Sequence, residues 1–281
     1  MKNSTGKASG YDYVVRAVVY LATAITLFVL LFIIWHVVSN GVPHLKPSLF
    51  AWKYTTENVS MTPAIINTLI IIAIALTIAI VLGVGAAIYL VEYARPGNRL
   101  VSLVRVTTET LAGIPSIVYG LFGMLFFVTA LQWGYSVLAG AMTVAIMILP
   151  TIMRSTEEAL MAVPMSLREA SYGLGAAKLR TVFLIVLPTA MQGILAGVIL
   201  GIGRIIGETA ALLYTAGSTF RIPTSLFNSG RTLAIHMYLL ANEGLHKDEA
   251  YATAVVLLVV VILINLLSNF LAGKLRKEYN Q

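Results

Sequence analysis

Arg204 and Glu208 stand four residues apart in an otherwise apolar stretch, G-I-L-A-G-V-I-L-G-I-G-R-I-I-G-E-T over residues 193–209. On a protein surface this spacing makes an ordinary helical ion pair. At membrane depth an ionisable side chain is costly and is a functional-site hypothesis by default. Two readings stand. In one, Arg204 and Glu208 neutralise each other and lock a helix interface. In the other, Arg204 offers its forked donors to an oxyanion that sheds water to cross, and Glu208 holds the guanidinium while the site is empty. A conducting site must also release its ion, so one or two arginines suit a pathway better than a dense cage.

Gly193, Gly197 and Gly201 recur every four residues in the same stretch, a small-residue seam that lets helices approach closely in lipid. On a continuous helix these glycines, Arg204 and Glu208 share an arc of roughly 80°. The charged pair is therefore expected on the close-packing face, pointing into protein or a water-filled path.

The elements that must position these groups are set by composition. Hydrophobic residues make up 58% of the 281, charged residues 11%, and mean hydropathy is +0.87. A soluble fold of this size cannot hide so much apolar surface, which excludes a cytosolic enzyme, a disordered chain and a secreted disulfide scaffold. The absence of cysteine removes thiolate metal sites and a Cys nucleophile. The expected class is an all-α membrane protein, since the uninterrupted Ile, Leu, Val and Ala runs lack the alternation of barrel strands. Six stretches meet or approach the roughly 20 apolar residues of a span: Ala17–Val38, Ala64–Val91, Leu111–Leu131, Val137–Met153, Thr189–Ile206 continuing to about Ala216, and Tyr251–Ala272. The first exceeds a signal-peptide core and reads as a retained helix.

Orientation follows from Lys and Arg. With both termini inside, thirteen of the nineteen basic residues are cytoplasmic, among them Lys2, Lys7, Arg95, Arg99, Arg105, Arg154, Arg168, Lys274, Arg276 and Lys277. The net charge of +7 is thus a topology signal rather than a nucleic-acid footprint. The outer segments 39–63 and 217–250 are too short for a substrate-capturing domain, and 132–136 is a tight turn.

The longest inner connection runs from Arg154 to Pro188. Pro164 breaks one helical segment. Ser166 with Glu169 three residues later is the pattern of a capping box that starts a second helix. Gly173 and Gly175 supply a left-handed terminus, and a third helix begins near Lys178. The plain reading is a folded connector; the functional one is a short helix that docks a soluble partner and moves as a rigid body.

Glu169-Ala170-Ser171, three residues, Gly175, nine residues, then Ile185-Val186-Leu187-Pro188 resembles the E-A-A-x3-G-x9-I-x-L-P motif of the membrane subunits of ATP-binding-cassette (ABC) importers, with Ser171 for the second Ala. The resemblance implies a type I permease fold and makes this segment, including Ala170 and Pro188, the coupling helix region that meets an ATPase subunit. G-R-I-I-G-E-T-A-A-L-L from Gly203 is similar to G-R-x-x-G-E-T-A-P-L-L in permease subunits of phosphate importers, with Ala211 where Pro is common. Gly113–Leu121, Leu149–Glu158 and Asn67-Thr68-Leu69 extend the likeness over about residues 62–272, closest to the A-type subunit. By that resemblance Arg204, Glu208, Thr209 and, less directly, Arg154 belong to the substrate path. A positive-inside anchor is an equal reading of Arg154. The implied division is 1–61 for the tail, first span and external segment, 62–273 for the permease core, and 274–281 for a cytoplasmic tail. The implied partners are a second homologous permease, ATP-binding subunits and an external phosphate-binding protein, in the inner membrane of a prokaryote.

No G-x4-G-K-[ST] occurs, so the chain has no phosphate-binding loop to power transport itself. The four histidines lack metal-ligand spacing, no Ser/His/Asp grouping assembles, and no cofactor is expected. Three accounts follow: an ATP-driven importer's permease for phosphate or another tetrahedral oxyanion such as sulfate or molybdate, a secondary transporter using Glu208 as a proton site, and a non-transporting scaffold.

Overall fold

The computed structural model describes residues 10–95 and 97–279; Lys2 and Lys7 lie outside them, as do the side chains of Lys274, Arg276 and Lys277. Pro63 opens α2 (Thr62–Ile88), where a missing N–H costs nothing, and the helix runs on through a π-helical turn, Tyr89–Tyr93. Ser136 caps α5 (Val137–Met161) by accepting from the Ala139 N–H at 3.2 Å. These two helices form the central packed pair, and α8 (Leu187–Ile206) packs against α5 and, less extensively, against α2. Their shared core holds Ile71, Ala75, Ala79, Ile148, Ile152 and Ile206, all buried. The long α1 (Gly10–Gly41) stands apart from the central pair and leans chiefly on α11 (Lys247–Tyr279). There a side chain at Gly41 would collide with the Tyr251 carbonyl, and His36 meets Tyr251 edge-on at 5.8 Å.

Among the described residues five helices are long and apolar enough to cross a membrane, six if a bent pair counts as one. That pair corrects the expected third span. Leu111–Leu131 is not one straight helix: α3 (Arg99–Ala112) meets α4 (Ser116–Gly123, continued by a π-helical Met124–Ala130) at 104°. Pro115 cannot continue α3, and the Tyr119 hydroxyl donates to the Leu111 carbonyl at 2.8 Å, tying the bend shut. The fifth span also differs. Its helix begins at Lys178 and is continuous to Ile206, but it does not continue to Ala216. It breaks at Gly207-Glu208-Thr209 before a single turn, α9 (Ala210–Leu213).

The outer connection folds back onto the bundle. The Asn67 amide donates to the Arg221 and Arg231 carbonyls, each at 3.2 Å, and Thr68 Oγ1 accepts from the Leu233 N–H at 2.9 Å. These bonds seat α10 (Leu233–Glu243). The Arg231 guanidinium lies 4.7 Å from the Tyr54 ring centre, a cation–π contact in a buried setting. Beside it, burial first and the Arg231 charge second push His236 down to about 3. The unfolded chain takes up that proton near 6.5, whereas the folded chain does so only near 3. The stability from neutral His236 is therefore complete above pH 6.5 and is lost as pH falls toward 3, at most about 1.4 kcal/mol per pH unit. Thermal melts of the detergent-solubilised protein between pH 7 and 5 are expected to fall, with a shallower fall in His236→Gln; equal slopes would place the acid sensitivity elsewhere.

Candidate functional site

The glycine seam packs as its spacing implies. A side chain at Gly193 would strike Ala159 of α5, one at Gly197 would strike Ser155, and Gly201 faces Ile148 and Ile152. The absence of Cβ atoms lets α8 lie against α5 backbone to backbone. Arg204, in the last turn of α8, sits on the flank of this seam and is half-buried.

The expected Arg204–Glu208 pair is not formed. Because the helix stops at Ile206, Glu208 leaves the α8 face and turns into the break. There its Oε1 accepts the Ala211 N–H at 2.9 Å, capping α9 while 7% exposed. Thr209 is the residue before α9, and its carbonyl accepts from the Leu213 N–H at 2.9 Å. Among the described residues, Arg204 has no carboxylate within ion-pair distance. An unwound stretch at membrane depth is tolerated where it is buried in protein or lines a cavity, and such breaks are where transporters bind ions.

The motif stretches meet at this break. A Cβ on Gly120 of α4 would lie 2.8 Å from the Ala211 Cα, so α4 and α9 touch through backbone. Gly113–Leu121 therefore supplies a bend and a flat contact for the segment starting at Gly203. Arg154 is not brought to Arg204. It lies on α5 one residue before the Ser155 that faces Gly197, exposed, with Nε donating to Glu158 at 3.0 Å and Nη1 3.9 Å from Glu109.

The inner connection is shorter than the sequence reading has it, since α5 continues to Met161 and carries Arg154 with it. Next comes α6 (Met165–Gly173). The capping box is absent: Pro164 is the N-cap and no side chain caps the helix, which puts Ser166 inside the first turn. The C-terminus is sharper than expected. Gly175 alone is left-handed, at φ +79°, with its N–H on the Tyr172 carbonyl at 2.9 Å and the Ala176 N–H on that of Ser171 at 3.1 Å. This is a Schellman terminus; Gly173 is merely the last helical residue. Gly175→Ala forces a side chain into that conformation at about 1–2 kcal/mol in open space, where no neighbouring atom stands. For the coupling role that the resemblance implies, the expected outcome is a stable protein whose transport per ATP hydrolysed falls; an unchanged ratio would show the turn to be only a connector.

Ser171 Oγ and Thr181 Oγ1 lie 2.8 Å apart, so the serine that replaces the usual alanine ties α6 to α7 (Lys178–Thr181). Glu169 and Ala170 are exposed, as are Met165, Leu167, Tyr172 and Leu174. Pro188 lies two residues into α8, behind a π-helical turn, Val182–Val186, whose wider ring accommodates a residue with no N–H.

One contact escapes the sequence reading. Arg168 of α6 is 7% exposed, and its Nε and Nη2 donate to Glu92 Oε1 at 3.1 and 2.7 Å. Its Nη1 donates to the Val163 carbonyl at 2.8 Å and Nη2 to that of Leu160 at 3.0 Å. Arg168 thus bolts α6 to the ends of both α2 and α5. The available signal was a lone acid at the inner end of an apolar run, Glu92, and a loop arginine to match it.

Residues 79–280 match the family described as "Binding-protein-dependent transport system inner membrane component". The chain belongs to this family. The permease is 34% identical to the probable ABC transporter permease protein YqgI of Bacillus subtilis, over 92% of this chain and 94% of that protein. It is also 34% identical to the phosphate transport system permease protein PstA of Yersinia pestis, over 92% of this chain and 90% of that protein. In fold the permease resembles a chain of a bacterial alginate ABC transporter crystallised with its pentasaccharide-bound periplasmic protein, with a TM-score of 0.71 at 16% identity over 95% of this chain and 96% of that one. It is thus a multi-pass, all-α inner-membrane component of an ABC importer, a non-catalytic subunit whose transport system includes ATPase subunits and a binding protein.

Proposed function

We propose that the permease conducts inorganic phosphate as the A-type subunit of a phosphate importer, with residues 62–273 as its conducting core. The observation that carries this reading is Arg204: a guanidinium in the last turn of a membrane-spanning helix, half-buried, without a carboxylate partner among the described residues, beside a break in its own helix. A cation so placed is best satisfied by an anion that comes and goes. The flat fork of Arg fits a tetrahedral oxyanion with two parallel hydrogen bonds. Glu208, spent on capping α9, leaves the fork open rather than occupying it. Thr209 offers a hydroxyl at the same break, and Arg154, lower on α5, is a second cation nearer the inner face. The phosphate-named relative supports phosphate over sulfate and molybdate.

In this reading α6 is the coupling helix. Its exposed Glu169, Ala170, Met165, Leu167 and Tyr172 form the face that enters an ATPase subunit, and Ser171, Gly175 and Pro188 hold that face in place. A second, homologous permease completes the pathway, and an external phosphate-binding protein delivers the ion. The test is uptake by vesicles bearing the assembled transporter and its binding protein. Labelled phosphate is expected to enter only with internal ATP and to resist competition by tenfold excess sulfate or molybdate. Uptake that ignores ATP and collapses with a protonophore would favour the proton-coupled account, and preferential sulfate or molybdate uptake would reassign the substrate.

A further inference from the structure

A cavity of about 610 Å³ opens where the inner end of α2, the start of α3 and the end of α5 converge, away from Arg204 and from the face of α6. Three arginines line it, Arg95, Arg99 and Arg105, together with Ser102 and an apolar wall that includes Leu90 and Met161. The arginines are not equivalent. Arg105 is already neutralised, its Nη2 lying 2.6 Å from Glu157 of α5. The other nearby acid, Glu92, is committed to Arg168. Arg95 and Arg99 have no carboxylate within ion-pair distance among the described residues, so the cavity keeps two uncompensated positive charges.

The helix beside it explains what those charges face. α3 turns 104° from α4, so when α4 crosses the membrane α3 lies close to its plane. Leu100, Leu103 and Val106 are 69%, 61% and 58% exposed, an apolar edge with no protein over it. The Lys and Arg distribution places this end of the molecule at the cytoplasmic surface. A helix with an apolar edge, Arg99 at its first position and Arg95 just before it, lying flat at that level, is built as an interfacial element. Basic pockets between spans on this side of a membrane take lipid headgroups.

We infer that this cavity holds the headgroup of an anionic phospholipid, its phosphodiester between Arg95 and Arg99 and its glycerol and acyl stem along Leu90, Met161 and the exposed edge of α3. The mixed lining selects a lipid over a free phosphate ion: a small, strongly hydrated ion gains nothing from an apolar wall, whereas the upper acyl chain does. This inference does not depend on the substrate.

The test is native mass spectrometry of the assembled transporter released from vesicles containing equal phosphatidylglycerol and phosphatidylcholine. The wild type is expected to retain phosphatidylglycerol selectively. The double variant Arg95→Gln/Arg99→Gln is expected to lose that selectivity by about 30-fold, since each basic residue near a charged surface contributes roughly a factor of five. Arg95→Lys/Arg99→Lys, which keeps charge, is expected to restore most of it and controls for folding. Equal retention by wild type and the Gln variant would overturn the proposal. So would displacement of the lipid by millimolar inorganic phosphate, which would make this a free-anion site. Crosslinking of Arg99→Cys to a partner protein chain in high yield would overturn it as well, since the cavity would then be a protein interface.

Discussion

Phosphate uptake is expected to fall at least a hundredfold in Arg204→Gln, while ATP hydrolysis by the assembled transporter keeps at least half its rate. The magnitude follows from a charge-assisted hydrogen bond made only while the ion is in transit, worth about 1.5–3 kcal/mol for each contact of the fork. Arg204→Lys is expected to recover only part of the rate, because an ammonium lacks the planar pair of donors. Folding is not at risk in either variant, since Arg204 is half-buried and removing it strands no buried carboxylate. Glu208 supplies the counter-test. Glu208→Gln keeps a side-chain oxygen for the Ala211 N–H and is expected to leave uptake within about threefold, a neutral bond replacing a charge-assisted one. A proton-coupled carrier predicts the opposite ranking, with Glu208→Gln dead and Arg204→Gln alive. Normal phosphate uptake by Arg204→Gln would remove the conduction role outright.

That ranking depends on a feature the sequence does not display. Spacing alone puts Arg204 and Glu208 on one face only if the helix is continuous, and nothing in G-R-I-I-G-E-T breaks a helix as proline would. The break appears because Glu208 satisfies the Ala211 N–H and because α9 must lie flat on Gly120, both of them tertiary demands. Gly113 and Pro115 punctuate the expected span Leu111–Leu131, but apolar length alone did not show a bend of 104°, which the Tyr119 hydroxyl holds closed through the Leu111 carbonyl. By contrast, α2 and α5 were legible from apolar length alone: α5 starts at the expected Val137 and α2 two residues before the expected Ala64. The glycine seam was legible because period-four small residues have few other uses in lipid. The expected capping box failed for a local reason: Pro164, at φ −57° and ψ 136°, starts α6 earlier and carries Ser166 past the capping position.

Glu92 and Arg168 lie 76 residues apart, and only the folded chain makes them one device. With side chains 9% and 5% exposed, the arginine and the glutamate are an ion pair out of water, and four hydrogen bonds fix the guanidinium. Such a pair contributes little compared with apolar residues of equal size, but removing one partner alone costs about 3–5 kcal/mol because the other charge stays buried. Glu92→Gln is therefore expected to shift α6 from its docked to its undocked position by more than about a hundredfold. With α6 as the element that receives the ATPase stroke, transport per ATP hydrolysed then drops tenfold or more while the Arg204 site is untouched. Glu92→Met/Arg168→Met, which removes both charges, is expected to recover docking and a measurable share of coupling. Phosphate-to-ATP stoichiometry in reconstituted vesicles, read beside crosslinking of α6 to the end of α2, separates the outcomes. A Glu92→Gln protein that stays crosslinkable and fully coupled would show that the bolt is decorative and that the stroke enters elsewhere.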